Sequence, residues 1–254
     1  RTGKFELVPA SGCRDLADLL SRLEGLDPGR IRIAVTGGGR VAGGAIEVLS
    51  AAGIREVAPE IYLSGSFSVA VFTRLDPWHY TSPRNGGAFD FKHFTERPDL
   101  YMNSFLPYAR RTDMYLACHF WDPRSPVLMT REDLRGGRIP IRIVADISCD
   151  INGPIPSTIR ASTIAEPFYG YDPVTGKESG PFREDVITVM AVDNLPGELP
   201  RDASSDFGRA LSGHVIPELL ELSNTGMLER ACIAEKGRLT ERYDYLQYFL
   251  EGEE

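Results

Sequence analysis

Ile31-Arg-Ile-Ala-Val-Thr36-Gly37-Gly38-Gly39-Arg40-Val41-Ala42-Gly43-Gly44-Ala45 runs an apolar strand straight into glycines and then into a small-residue helix. Gly37, Gly39 and Ala42 match the G-x-G-x-x-G/A spacing of a dinucleotide fingerprint. The chemistry explains the spacing. Gly37 permits the tight turn, and Gly39 lets backbone N–H groups approach a pyrophosphate. Ala42 lets the helix pack close to the strand, with its N-terminus facing the phosphates. A glycine-rich turn that binds nothing is the plain alternative. The strand before and the helix after are the context the motif requires, so Gly37, Gly38, Gly39, Arg40 and Val41 are read as coenzyme-binding residues.

Around this stretch, apolar runs alternate with helical patterns. Leu16, Leu19, Leu20 and Leu23 recur at helical spacing before the first strand. A helix over 41–52 ends at Gly53, as a C-cap glycine would end it. Val69–Arg74 reads as a second strand, after an insertion at 59–68. Residues 90–111 read as helical, with a fresh start at Pro98. Met114–Cys118, Ile141–Ala145 and Val186–Val192 are short apolar runs suited to a buried parallel sheet. Residues 169–176 read as a turn-rich excursion. From Arg201 onward the pattern is mostly helical, with Phe207, Leu211, Val215, Leu219 and Leu220 on one face and Asp202 or Ser204 as its cap. The expected fold is α/β, a Rossmann-like parallel sheet flanked by helices. The expected organisation is an interdomain helix over 1–28, a nucleotide domain over 29–200 and a helical segment over 201–254.

Composition narrows the function classes. The 254 residues carry a net charge of −8 with no long basic run, which argues against nucleic acid as a partner. No apolar run approaches the roughly 20 residues of a membrane span. Cys13, Cys118, Cys149 and Cys232 are widely spaced, which speaks against a metal cluster and suits reduced thiols in the cytoplasm.

Ligands of such a sheet lie at the carboxyl ends of its strands. Arg74 and Asp76 follow the second strand. An arginine there neutralises the 2′-phosphate of NADP and an acidic residue accepts from the ribose of NAD, so the coenzyme is NADP or NAD, with a slight lean to NADP. A solvated surface pair is the alternative. His119 is a candidate proton shuttle or a packing residue. Asp146 and Asp150 follow a buried strand and could orient a substrate amine or merely form a turn. Asp193, Asn194 and Leu195 sit at another strand end, within reach of a nicotinamide or a substrate.

The chain resembles the superfamily of alanine dehydrogenase and lysine-forming saccharopine dehydrogenase, most of all the lysine–2-oxoglutarate reductase half of aminoadipic semialdehyde synthase. The likeness rests on the glycine loop at 37–45, on Trp121, and on Ala145-Asp-Ile-Ser-Cys-Asp150. Thr163-Ile164, Pro167-Phe168, Tyr171-Asp172, Asp193-Asn-Leu-Pro and the stretch 237–247 complete it. The resemblance implies an NAD(P)-dependent oxidoreductase in which an amino acid condenses with a 2-oxo acid and the imine is reduced. It places Asp150 at an active-site aspartate, Asn194 beside the nicotinamide, and Arg74 at an NADPH-side arginine. His119 has no counterpart in the family, and Arg160 replaces a residue that is not basic in the animal proteins. The family's catalytic lysine and histidine lie in an N-terminal lobe to which no segment here corresponds. That lobe is therefore an expected partner, and a homo-oligomer is a further expectation. An alanine dehydrogenase-like enzyme and a coenzyme-binding module without its own catalysis are the rivals.

Overall fold

The computed structural model describes residues 7–252, so residues 1–6 of the expected first segment lie outside the described residues. The chain forms two compact units, one up to Leu199 and one from Pro200.

The first unit is built on one eight-stranded sheet. Its strands are β1 (Arg32–Thr36), β2 (Arg55–Glu56), β3 (Val71–Leu75), β4 (Met114–Ala117), β5 (Ile143–Asp146), β6 (Tyr169–Tyr171), β7 (Glu178–Ser179) and β8 (Ile187–Met190). They lie in the order β2-β3-β1-β4-β5-β8-β6-β7. Along that order β2, β3, β1, β4, β5 and β8 are mutually parallel; at the far edge β6 pairs antiparallel with β8, and β7 pairs antiparallel with β6. In register, Ala34 stands between Thr73 of β3 and Tyr115 of β4.

Alternation along β1 sorts the core onto two faces, because successive strand side chains point opposite ways. Helix α1 (Leu16–Leu23) precedes β1, and Ile33 and Val35 meet Phe72, Leu116 and the buried Ala42 and Leu49 of helix α2 (Arg40–Ala51). Ala34 faces the other way, into a cluster with Tyr62, Phe105, Tyr115 and Val144. Both faces of the sheet are thus covered, which explains why its parallel strands read as nearly continuous apolar runs.

Several boundaries differ from the sequence reading. The segment 59–68 begins as helix α3 (Pro59–Ser64), whose Tyr62 is fully buried and bonds Thr112 Oγ1 at 2.8 Å. Residues 90–111 are not one helical stretch. A helix at Phe91–Glu96 and a 3-10 turn starting at Pro98 lead into a strand at Tyr101–Asn103, which pairs antiparallel with Thr81–Pro83. The 169–176 excursion contains β6 and turns into β7. Gly53, at φ +73°, follows α2 in the expected stop position.

In the second unit a helix starts at Pro200 itself, so Asp202 lies in its first turn rather than at the expected cap. The helical path continues through Leu211–Val215 and Ile216–Leu219. Short pieces follow: a helix at Met227–Ala231 and a hairpin of Ala234–Glu235 with Arg238–Leu239. Phe207, Leu219 and Leu220 are exposed.

Candidate functional site

The strand order reverses between β1 and β4: the chain goes to one side of β1 for β2 and β3, then returns to the other. A crevice of about 580 Å³ opens at the carboxyl ends of these strands. Such a reversal is where an open α/β sheet takes its ligand, since the two adjacent loops must diverge there.

The glycine loop forms one wall. Gly37 sits at φ +114°, and a Cβ on it would stand 2.5 Å from Cys118 O, so only glycine allows this approach of the β1 and β4 ends. A Cβ on Gly39 would meet nothing within 4 Å, because Gly39 borders open space in front of α2. No side chain caps α2 and no acidic residue lies in its first turn. Its first N–H groups have no intrahelical acceptor, and the helix dipole favours an anion there. Arg40 and Val41 line the same mouth. Ala42 is fully buried against the sheet, as the third small residue of the motif must be.

Asp76 closes the crevice beyond β3. It is buried on Leu75's carboxyl side, and its backbone N–H donates to His79 Nδ1 at 3.0 Å. Arg74 stands two residues earlier on an exposed side of the strand, with Nη2 3.5 Å from Asp76 Oδ2. Asp76 lines the crevice, and Arg74 is not among the lining residues.

His119 lines the opposite wall, 94% buried (6% exposed). Its Nδ1 lies 2.8 Å from Thr36 Oγ1, which is itself 2.8 Å from the Tyr115 hydroxyl. Its Nε2 has no partner. Burial pulls its pKa down to about 4, so the ring is neutral at physiological pH. That fits hydrogen bonding better than proton shuttling, which favours a pKa near the working pH. Burial also pushes the neighbouring Cys118 thiol up to about 12 and raises the Tyr80 phenol.

The sequence reading missed the aromatic part of the lining. Trp78, Phe91 and Phe120 are exposed in the crevice, joined by Phe94 and the buried Tyr80. Exposed aromatic rings inside a concavity are the usual lining of a small-molecule site. Phe91 and Phe94 stand at helical spacing, which in sequence reads as a core face. The exposed position of Phe120 directly after His119 had no sequence signal.

The other expected residues lie further along the same sheet edge, outside the crevice lining. Asp146, at the end of β5, is fully buried. Its Oδ1 accepts from Ser148 Oγ at 2.6 Å and Cys149 N at 3.1 Å, and its Oδ2 accepts from Thr158 Oγ1 at 2.6 Å. Those bonds hold a loop in which Cys149 (φ +54°) and Asn152 (φ +55°) are left-handed. Such backbone costs of order 1–3 kcal/mol per residue and persists only where its surroundings fix it. Asp146 therefore organises the loop, and Asp150 carries the freer carboxylate. Partial burial first, then the charge of Asp146, raises the pKa of Asp150. Asp193 and Asn194 are exposed in the loop after β8, and Leu195 opens its 3-10 turn. This loop is tied down by Ser11 N donating to Glu198 Oε2 at 2.8 Å. The Cys149 thiol donates to Ala191 O at 3.3 Å, which joins the β5 loop to the end of β8. Among the described residues no cluster of His, Cys, Asp and Glu could hold a metal.

Known proteins are similar in sequence to this chain. Alpha-aminoadipic semialdehyde synthase of Arabidopsis thaliana is 34% identical over 186 residues, 69% of this chain and 17% of that protein. Its mitochondrial namesake from Rattus norvegicus is 27% identical over 89% of this chain and 28% of that protein. The chain belongs to the aminoadipic semialdehyde synthase family. A saccharopine dehydrogenase [NAD(+), L-lysine-forming] of Neurospora crassa extends the relationship, at 28% identity over 76% of this chain and 41% of that enzyme. No family model matches. The chain thus spans less than half the length of each of these relatives of the synthase type and of the dehydrogenase type. No helix among the described residues is long and apolar enough to cross a membrane.

Proposed function

We propose that this chain is the coenzyme-binding part of an NAD(P)-dependent oxidoreductase acting on the CH–NH group of an amino acid, of the saccharopine-forming type. The observation that carries the reading is Gly39. It borders open space in front of an uncapped helix, at the point where the strand order reverses. The crevice residues fit a dinucleotide: bare amides for a pyrophosphate, an acid for a ribose, and aromatic walls for flat rings. When bound, the nicotinamide donates or accepts the hydride.

The chain's own residues would bind and orient. α2's first turn would hold the pyrophosphate, and Asp76 would accept from ribose hydroxyls. Trp78, Phe91 and Phe120 would exclude water from the rings. Asp150, with its raised pKa, would orient or deprotonate the amine, and Asn194 would meet the nicotinamide side. Of the two coenzymes, Asp76 in the lining with Arg74 paired at its rim supports NAD over the NADP that Arg74 alone suggests.

A second reading has its own support: a coenzyme-binding module without catalysis. The one imidazole in the lining is held neutral, and the thiol and phenol there titrate far above neutrality. Proton transfer would then come from a further lobe, and the exposed Phe207, Leu219 and Leu220 would suit such a partner. The free thiols suit any reducing compartment, the cytoplasm included.

Calorimetric titration of NADH and NADPH tests the reading. Micromolar binding that Gly39→Asp abolishes supports it, because a carboxylate there would repel the pyrophosphate. Binding of neither coenzyme, or binding indifferent to Gly39→Asp, sinks it. Saccharopine, alanine and the pair lysine plus 2-oxoglutarate, assayed with the coenzyme, separate the enzyme from the module and the saccharopine type from an alanine dehydrogenase type.

A further inference from the structure

Thr36, Tyr115 and His119 form a buried chain of three hydrogen-bonding groups that ends at the unpartnered, solvent-shielded Nε2 of a residue lining the crevice. Counting protons along it fixes the imidazole tautomer. If Tyr115 donates to Thr36 and Thr36 donates to His119 Nδ1, the hydrogen sits on Nε2, and that N–H is the single unpaired group. If instead Nδ1–H donates to Thr36, two groups are orphaned: Nε2 and either the Thr36 or the Tyr115 hydroxyl proton. Each buried orphan is costly, so the arrangement with one orphan prevails. Tyr115 and Thr36 are both fully buried, so water does not relieve the alternative.

We propose that His119 presents a fixed, neutral Nε2–H donor to an oxygen of the bound dinucleotide where it passes between the β1 and β4 ends. The proposal rests on the dinucleotide reading above and adds a binding residue to it. Three observations support it. The donor is unpartnered, its residue is more than nine-tenths buried, and it lines the crevice beside the glycine loop. A Cβ on Gly37 would lie 3.1 Å from the His119 backbone nitrogen, which puts the two walls in direct proximity. An acceptor oxygen from the ligand would satisfy the orphan. Charge is not needed: the low pKa keeps the donor in one form across the physiological range.

Two measurements on this chain test it. The first is nitrogen-15 NMR of the ring, which reads the tautomer without coenzyme: Nε2–H is expected, and an Nδ1–H ring overturns the proposal. The second is coenzyme titration of His119→Phe and His119→Gln. Phenylalanine keeps the ring and loses the donor, so affinity should fall about tenfold. Glutamine returns an amide N–H near the Nε2 position and should recover most of that loss. Equal binding by wild type and His119→Phe overturns the proposal, as does a loss that glutamine fails to rescue while its thermal unfolding matches wild type. A wild-type chain that binds neither coenzyme overturns the dinucleotide reading itself and the donor's role with it, whichever tautomer NMR reports.

Discussion

Gly38 and Asp76 face each other so closely that a Cβ at position 38 would stand 2.3 Å from Asp76 Oδ1. The middle glycine of the loop, silent in the G-x-G spacing, thereby sets the position of the acid at the end of β3. Gly38→Ala would push the carboxylate aside, which a flexible side chain can do at little cost to folding. Affinity for the coenzyme should fall by about tenfold, the order of one hydrogen bond to a charged group. In an Asp76→Ala background the same alanine should cost almost nothing more. A double-mutant cycle on coenzyme dissociation constants checks this, and additive losses would refute the coupling.

Gly37 and Gly39 should respond in opposite ways. Alanine at 37 combines a positive φ with a Cβ 2.5 Å from the Cys118 carbonyl oxygen, a backbone atom that cannot step aside. Denaturant unfolding should show a loss of about 3 kcal/mol or more. Alanine at 39 meets open space and has an ordinary extended backbone, so stability should hold while coenzyme binding weakens. Equal stability losses at both positions would contradict this division.

How far the sequence carried depends on whether the cause was local. β1, the glycine loop and α2 were legible because a short apolar run, a tight turn and a small-residue helix each leave a mark within a few residues. The stretch 90–111 misled because Phe91, Phe94, Leu100, Phe105 and Leu106 imitate a helical face. The Tyr101–Asn103 strand exists only through its pairing with Thr81–Pro83, which no local pattern encodes. The two-residue β2 is likewise made by its neighbour β3. At the crevice, residue types at strand ends pointed to Asp76 and His119, both of which line it. The exposed aromatic wall stayed hidden, because an aromatic residue in sequence looks the same whether it lines a core or a crevice.

Burial of His119 also carries a stability signature. Its folded pKa of about 4 lies below the unfolded value of about 6.5, so below that value the unfolded chain holds a proton that the folded chain refuses. The contribution is therefore fully present above pH 6.5 and is lost as pH falls from 6.5 towards 4. The shift corresponds to about 3 kcal/mol as an upper bound. Unfolding free energies measured from pH 8 to pH 4.5 should decline for the wild type. His119→Gln, which cannot titrate, should flatten that decline, and an unchanged slope would assign the acid sensitivity elsewhere.

Glu218 does for the second unit what a capping side chain does for a helix. Its carboxylate lies among the backbone N–H groups that open the helix at Met227–Ala231. It accepts from Leu228 N at 2.9 Å, from Met227 N at 3.3 Å, and from both the N–H and the hydroxyl of Thr225. Gly226, at the N-cap, has no side chain for that task. The Thr225 hydroxyl, then the backbone donors, hold the pKa of Glu218 down to about 2. A depressed carboxylate stabilises above its unfolded value of about 4.5 and loses that effect as pH falls towards 2. Amide hydrogen exchange should therefore show Leu228 and its neighbours losing protection in that window, before the sheet of the first unit opens. Glu218→Gln keeps the shape and one acceptor but not the charge, so it should reproduce the acid-state exchange at neutral pH. Unaltered protection at Leu228 in this variant would mean that packing, rather than the carboxylate, fixes the helix start.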